Sequence, residues 1–142
     1  MLQISIFVLG AVGMVLVAAG VLYIMKGMQG KAEITGELEY EGAKTGRETP
    51  APGLPIVDAK TARMESDLIK HHLYENSKQR KFVDFGRDDP ERDYILKGMT
   101  IRNSLGMAIL GLGVSQLAMG TGALVILIGG GFLSLSVSLG SL

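Results

Sequence analysis

All fourteen Lys and Arg residues and all fourteen Asp and Glu residues of this chain lie between Lys26 and Arg102, so residues 1–25 and 103–142 carry no formal charge. An apolar helix of about 20 residues is long enough to cross roughly 30 Å of hydrocarbon. Both uncharged ends reach that length, and the second is about twice one span. The partition predicts a mainly α membrane protein, with two transmembrane helices flanking a small polar domain.

The polar middle is too short to bury a large core of its own. The chain has no Cys, which removes disulfides, thiolate metal sites and Cys nucleophiles. Acidic and basic residues balance, which argues against a nucleic-acid partner held by a broad positive field.

Residues 1–26 read as the first transmembrane helix. Gln3 and Ser5 are the polar side chains of residues 2–25, and no basic residue precedes them. Ala18-Ala19-Gly20 imitates a cleavage site, but Val21-Leu22-Tyr23-Ile24-Met25 carries the apolar run past it, as in an uncleaved anchor rather than a removed signal. Tyr23 and Lys26 supply the aromatic and basic pair of a membrane interface.

The polar domain then covers residues 27–89. Its first part, 27–57, reads as an irregular connector because it carries Gly30, Gly36, Gly42, Gly46, Pro50, Pro52, Gly53 and Pro55. Alternation over residues 34–40 offers one edge-like strand. Residues 58–75 read as an amphipathic helix capped by Asp58, whose carboxylate can accept from the free amides of the first turn. Residues 76–89 form a loop. Asp88-Asp89-Pro90-Glu91 predicts a new helix starting at Pro90, with Asp as cap, Pro where no amide donor is needed, and Glu facing the positive end of the helix dipole.

That helix leads in over residues 90–106 and becomes the second transmembrane span over residues 107–130, with an apolar, Ser-containing tail at 131–142. A tight hairpin at Gly120-Thr121-Gly122 and a helix continuous to Leu142 are the two other readings of the same stretch. The hairpin leaves a first arm shorter than a usual span.

Gly13, Gly20 and Gly27 are spaced by seven residues, as are Gly106, Gly113 and Gly120. Seven residues are two helical turns, so each trio lies along one side of its helix and permits close backbone approach. Gly111 with Ser115 and Ala118 with Gly122 add small-residue pairs four apart on the second helix. These ten residues are the candidate helix-packing positions. Gly is also simply common in membrane helices.

Residues that carry chemistry are sparse. His71 and His72 are adjacent and diverge by about 100° on a helix, a poor arrangement for one shared metal. Neither span holds a His for an axial cofactor ligand or a charged residue for a proton path. Gln116 is suited to an interhelical hydrogen bond. No nucleophile motif and no phosphate-binding Gly loop is present. Catalytic residues, metal ligands and cofactors are therefore not assigned. Lys78, Arg80, Lys81, Phe82 and Phe85 form a basic-aromatic patch suited to an anionic lipid surface, or else a solvated loop.

The order of features resembles a group of small, poorly characterised bacterial membrane proteins with two spans around a polar middle. The matching stretches are Ile34-Thr35-Gly36-Glu37-Leu38, Thr61-Ala62, Asp67-Leu68-Ile69-Lys70-His71-His72, Asp88-Asp89-Pro90-Glu91-Arg92, Ile101-Arg102-Asn103-Ser104-Leu105 and residues 111–122. They cover most of the chain, although each motif is soft. Members of that group often carry the label aromatic ring-opening dioxygenase, which implies a non-haem iron site. This chain departs from the group at residues 76–81, where a glycine-containing turn is expected.

The expected role is a non-catalytic accessory or assembly subunit of a larger integral membrane complex. Its partners would be other membrane subunits and lipid, with self-association possible. A membrane-anchored metal-dependent enzyme and a self-assembling pore or transporter subunit are the alternatives. Lys26, Lys31, Arg92, Lys97 and Arg102 flank the spans on one side only, which places the middle domain in the cytoplasm and both termini across the cell (inner) membrane.

Overall fold

The computed structural model describes residues 2–141. The chain is all-α: helix α1 spans Leu2–Tyr40, α2 Ala59–Asn76 and α3 Arg92–Gly140, with a short 3-10 turn at Phe82–Asp84. Among the described residues the extended structure amounts to one antiparallel bridge, between Lys44 and Pro55. Both α1 and α3 are long and apolar enough to cross a membrane. The chain divides into two compact units, residues 1–31 with 114–142, and residues 32–113.

The first unit is an antiparallel pair of helical segments. In α1 the inward positions include Gly13, Gly20, Ile24 and Gly27, and in α3 Ser115, Met119, Gly122, Ile126, Gly129 and Leu133. Steps of three and four residues make a seven-residue repeat, the pattern that keeps one seam of an α-helix facing its partner. Residues 131–140, read from sequence as a tail beyond the span, are instead the last turns of α3. Ser136 there donates its hydroxyl to the Ile6 carbonyl oxygen at 2.9 Å. An extended tail in an apolar setting would strand its amides, whereas the helix satisfies them internally. Gly120-Thr121-Gly122 is likewise helical, which corrects the hairpin reading.

The second unit gathers Leu38 of α1, Ile56, Ala62 of α2 and Leu105 and Ala108 of α3 into one core, with Ile34, Ala43, Ile69 and Ile109 packed against it. The reading of residues 27–40 is corrected here: they are helical, where an irregular connector and an edge strand were expected. Ile34 and Leu38 fit both a two-residue alternation and an i, i+4 helical stripe. Tyr40, which the alternation would bury with them, is 90% exposed. Leu105 and Ala108 of α3 belong to this core, and Leu112 is buried in the same unit.

The end of α1 is fixed by Gly42. It takes φ +66°, and the bonds Gly42 N–H to Glu39 O and Ala43 N–H to Leu38 O close a Schellman motif. Ala43 packs on the cluster that contains Leu38, the hydrophobic contact that accompanies such caps. The true connector, 41–58, is ordered around buried Thr45. Its amide donates to Leu54 O, its hydroxyl receives Leu54 N–H at 3.0 Å, and Ile56 N–H reaches Ala43 O. Asp58 then opens α2 through a capping box: its Oδ1 accepts from Thr61 N–H at 2.7 Å, while Thr61 Oγ1 accepts from the Asp58 amide at 3.3 Å.

Candidate functional site

The Gly seam of the first unit brings the backbones of α1 and α3 into close approach. A Cβ on Gly20 would stand 2.6 Å from the Gly122 carbonyl oxygen, and a Cβ on Gly122 would stand 2.6 Å from the Gly20 carbonyl oxygen. Seven residues either way the arrangement repeats: a Cβ on Gly13 would stand 2.9 Å from Gly129 O, and one on Gly27 would stand 2.6 Å from Ser115 O. No side chain fits between backbones this close, so the sequence supplies Gly at these positions of α1. Approach of this kind also brings carbonyl oxygens toward Cα–H groups, a contact worth about 0.5–1 kcal/mol each.

The candidate packing residues thus separate into groups. Gly13, Gly20, Gly27, Ser115 and Gly122 line the seam, joined by Gly129, which lies beside the boundary expected for an apolar tail. Its spacing of seven from Gly122 is the signal that could have found it. Gly111 faces the Ile34 side chain in the second unit. Ala118 is half-buried. Gly106, Gly113 and Gly120, the second trio, have nothing within 4 Å of where a Cβ would sit.

In the second unit the loop after α2 is clamped to the start of α3. Arg80 bonds Asp89 at 3.1 Å and Glu91 at 2.8 Å, and its guanidinium lies 4.0 Å from the centre of the Phe85 ring. Arg92 stands over Phe82 at 4.7 Å and donates to Phe85 O at 2.7 Å. Asp89 Oδ1 accepts from Glu91 N–H at 3.0 Å, which ties a turn just ahead of α3; the helix itself begins at Arg92, two residues after the start at Pro90 that the sequence predicts. The basic-aromatic patch is therefore not one surface. Phe85 is buried beneath Arg80, and Arg80 is committed to two carboxylates, while Lys78 and Lys81 stay exposed and Phe82 is half-buried.

An open groove of about 700 Å³ lies between α2, this loop and the first turns of α3. Leu73, Tyr74, Phe82, Ile95 and Met99 give it an apolar lining. Lys70, Arg80, Lys81 and Arg102 line it as well, with Asp67 as the one carboxylate among the lining residues. Gly98 admits the Leu73 side chain at the place a Cβ would occupy, which holds α2 against α3 beside this groove.

The two histidines point to different partners. His71 Nε2 lies 3.3 Å from Glu75 and His72 Nε2 lies 2.8 Å from Glu48, with ring centres 6.3 Å apart. A non-haem iron centre needs two His and a carboxylate converging with open positions. Among the described residues no group of three His, Cys, Asp or Glu is placed to hold a metal ion. The donors present do not fit the iron that the dioxygenase label implies.

Comparison with protein-family models, with curated proteins and with solved structures finds no match for this chain.

Proposed function

We propose that this chain is a non-catalytic accessory or assembly subunit of a larger integral membrane complex, embedded through α1 and α3. One observation carries the reading. Of the two seven-residue Gly trios, one is consumed by packing within the chain, and the other, Gly106, Gly113 and Gly120, opens on empty space. Small residues at a membrane helix surface are where a second helix approaches. The outer faces of the helices support the same setting: Phe7, Val15, Leu117 and Leu127 are each more than two-thirds exposed, an apolar exterior that a soluble monomer does not carry.

The setting is the cell (inner) membrane, with the polar unit on the cytoplasmic side and both termini across it, following the one-sided placement of Lys and Arg. The test is extraction in mild detergent followed by identification of copurifying proteins. A fixed membrane partner lost on Gly113→Leu, with the seam between α1 and α3 intact, is the expected result. A monodisperse protein with no partner would sink the reading, and a homo-oligomer dispersed by the same variant would redirect it to self-assembly.

A further inference from the structure

We infer that the groove between α2 and α3 is a binding site for an anionic phospholipid, its phosphate held by Lys70, Lys81 and Arg102 and an acyl segment laid on Tyr74, Met99 and Phe82. The volume of about 700 Å³ is that of a small-ligand site rather than of a protein–protein interface. Its lining is mainly basic, with Asp67 the one carboxylate beside four cations. Among the described residues no carboxylate lies within 4.0 Å of Lys70, Lys81 or Arg102, while the fourth cation, Arg80, is neutralised by Asp89 and Glu91.

The two kinds of basic residue do different work. Arg80 is fixed by its carboxylates and by Phe85, so it builds a rigid wall. The other three keep their charge for a ligand, and their flexible stems can follow a phosphate. The lining between them is apolar, which suits a molecule carrying both an anion and a hydrocarbon chain, and leaves a free phosphate without a use for Tyr74 and Met99. Phospholipid is the amphiphile a chain of this kind meets; only that choice of source rests on the membrane reading.

The experiment is native mass spectrometry of the full chain in detergent, titrated with phosphatidylglycerol and with phosphatidylcholine of identical acyl chains. One tightly retained phosphatidylglycerol is expected, with phosphatidylcholine at least tenfold weaker. Lys81→Gln and Arg102→Gln should each weaken the adduct about fivefold, Met99→Asn should weaken it without removing the charge preference, and the exposed Lys44→Gln should leave it unchanged. Equal retention of the two lipids, full displacement by millimolar inorganic phosphate, or wild-type binding by both charge variants would overturn the assignment. So would an acidic protein segment that occupies the groove in place of lipid. A partnerless protein that still selects phosphatidylglycerol would remove the assembly reading and leave this one standing.

Discussion

Gly20 and Gly122 each present a carbonyl oxygen 2.6 Å from where the other's Cβ would stand, a reciprocal contact between residues about a hundred positions apart. Adding a methyl at either end forces the backbones apart, because the obstructing atom is main chain and cannot rotate away. Gly20→Ala and Gly122→Ala should each destabilise the helical pair by about 1–3 kcal/mol, the usual cost of overpacking. Unfolding in a mixed-detergent titration reads this directly. Gly113→Ala, with open space at its Cβ position, should be neutral or stabilising by up to about 1 kcal/mol. Equal losses at Gly20 and Gly113 would contradict the seam.

The turn after α2 carries Lys78 at φ 53° and Gln79 at φ 66°, both in the left-handed region. Lys78 occupies the position of a Schellman motif usually held by Gly: its amide reaches Glu75 O, and that of Gln79 reaches Tyr74 O. A Cβ in this region costs about 1–2 kcal/mol. Lys78→Gly should therefore stabilise the second unit by roughly 0.5–1 kcal/mol, the difference left after the extra entropy Gly brings to the unfolded chain. Chemical denaturation checks the sign. Lys78→Ala, which keeps the Cβ, should give no such gain.

The Asp58 carboxylate caps α2, and its pKa bears on the acid stability of that helix. The Thr61 amide, and then the Thr61 hydroxyl, hold it below its ordinary value of 3.8. A carboxyl depressed in the folded state stabilises fully above its unfolded pKa and loses that contribution as pH falls through the folded one. Stability should therefore fall below about pH 4. Asp58→Asn should keep the cap and remove this part of the acid dependence, whereas Asp58→Ala should cost about 1 kcal/mol at neutral pH. Helicity followed by circular dichroism from pH 7 to 2 distinguishes the variants.

Local chemistry made some of this structure legible in the sequence and distant contacts hid the rest. Asp58 and the Asp89-Pro90-Glu91 turn carry their own hydrogen-bond logic within four residues. Glycine does not. Gly27 belongs to the seven-residue Gly repeat and also opens the stretch read as a connector, and its contacts with Ser115 and Met119 show which of the two it serves. Gly129 looks like the end of a span until Gly13 is placed against it. Gly106, Gly113 and Gly120 repeat with the same spacing and meet nothing in this chain, so periodicity alone could not tell a used stripe from an open one. Phe85 sits beside three basic residues in sequence, yet Arg80 folds over it and removes it from the surface.

The arrangement of the chain across a bilayer gives the last prediction. Every Lys and Arg lies within residues 26–102, and the first unit pairs α1 with α3 antiparallel, so the proposed orientation puts both termini across the membrane from the charged residues. The chain contains no Cys, and Lys44 and Ser141 are both exposed, so each can carry a single reporter thiol. In intact cells a membrane-impermeant maleimide should label Cys at 141 and leave Cys at 44 unmodified until the membrane is opened. Labelling of position 44 at the rate of position 141 would refute the orientation, and labelling of 44 alone would invert it. Because loops longer than about 60 residues are less strictly governed by their charge, Lys26→Gln with Lys31→Gln is the sharper variant. Removing the two cations next to α1 should raise the inverted fraction, whereas Lys44→Gln with Arg47→Gln, farther along the chain, should change it little.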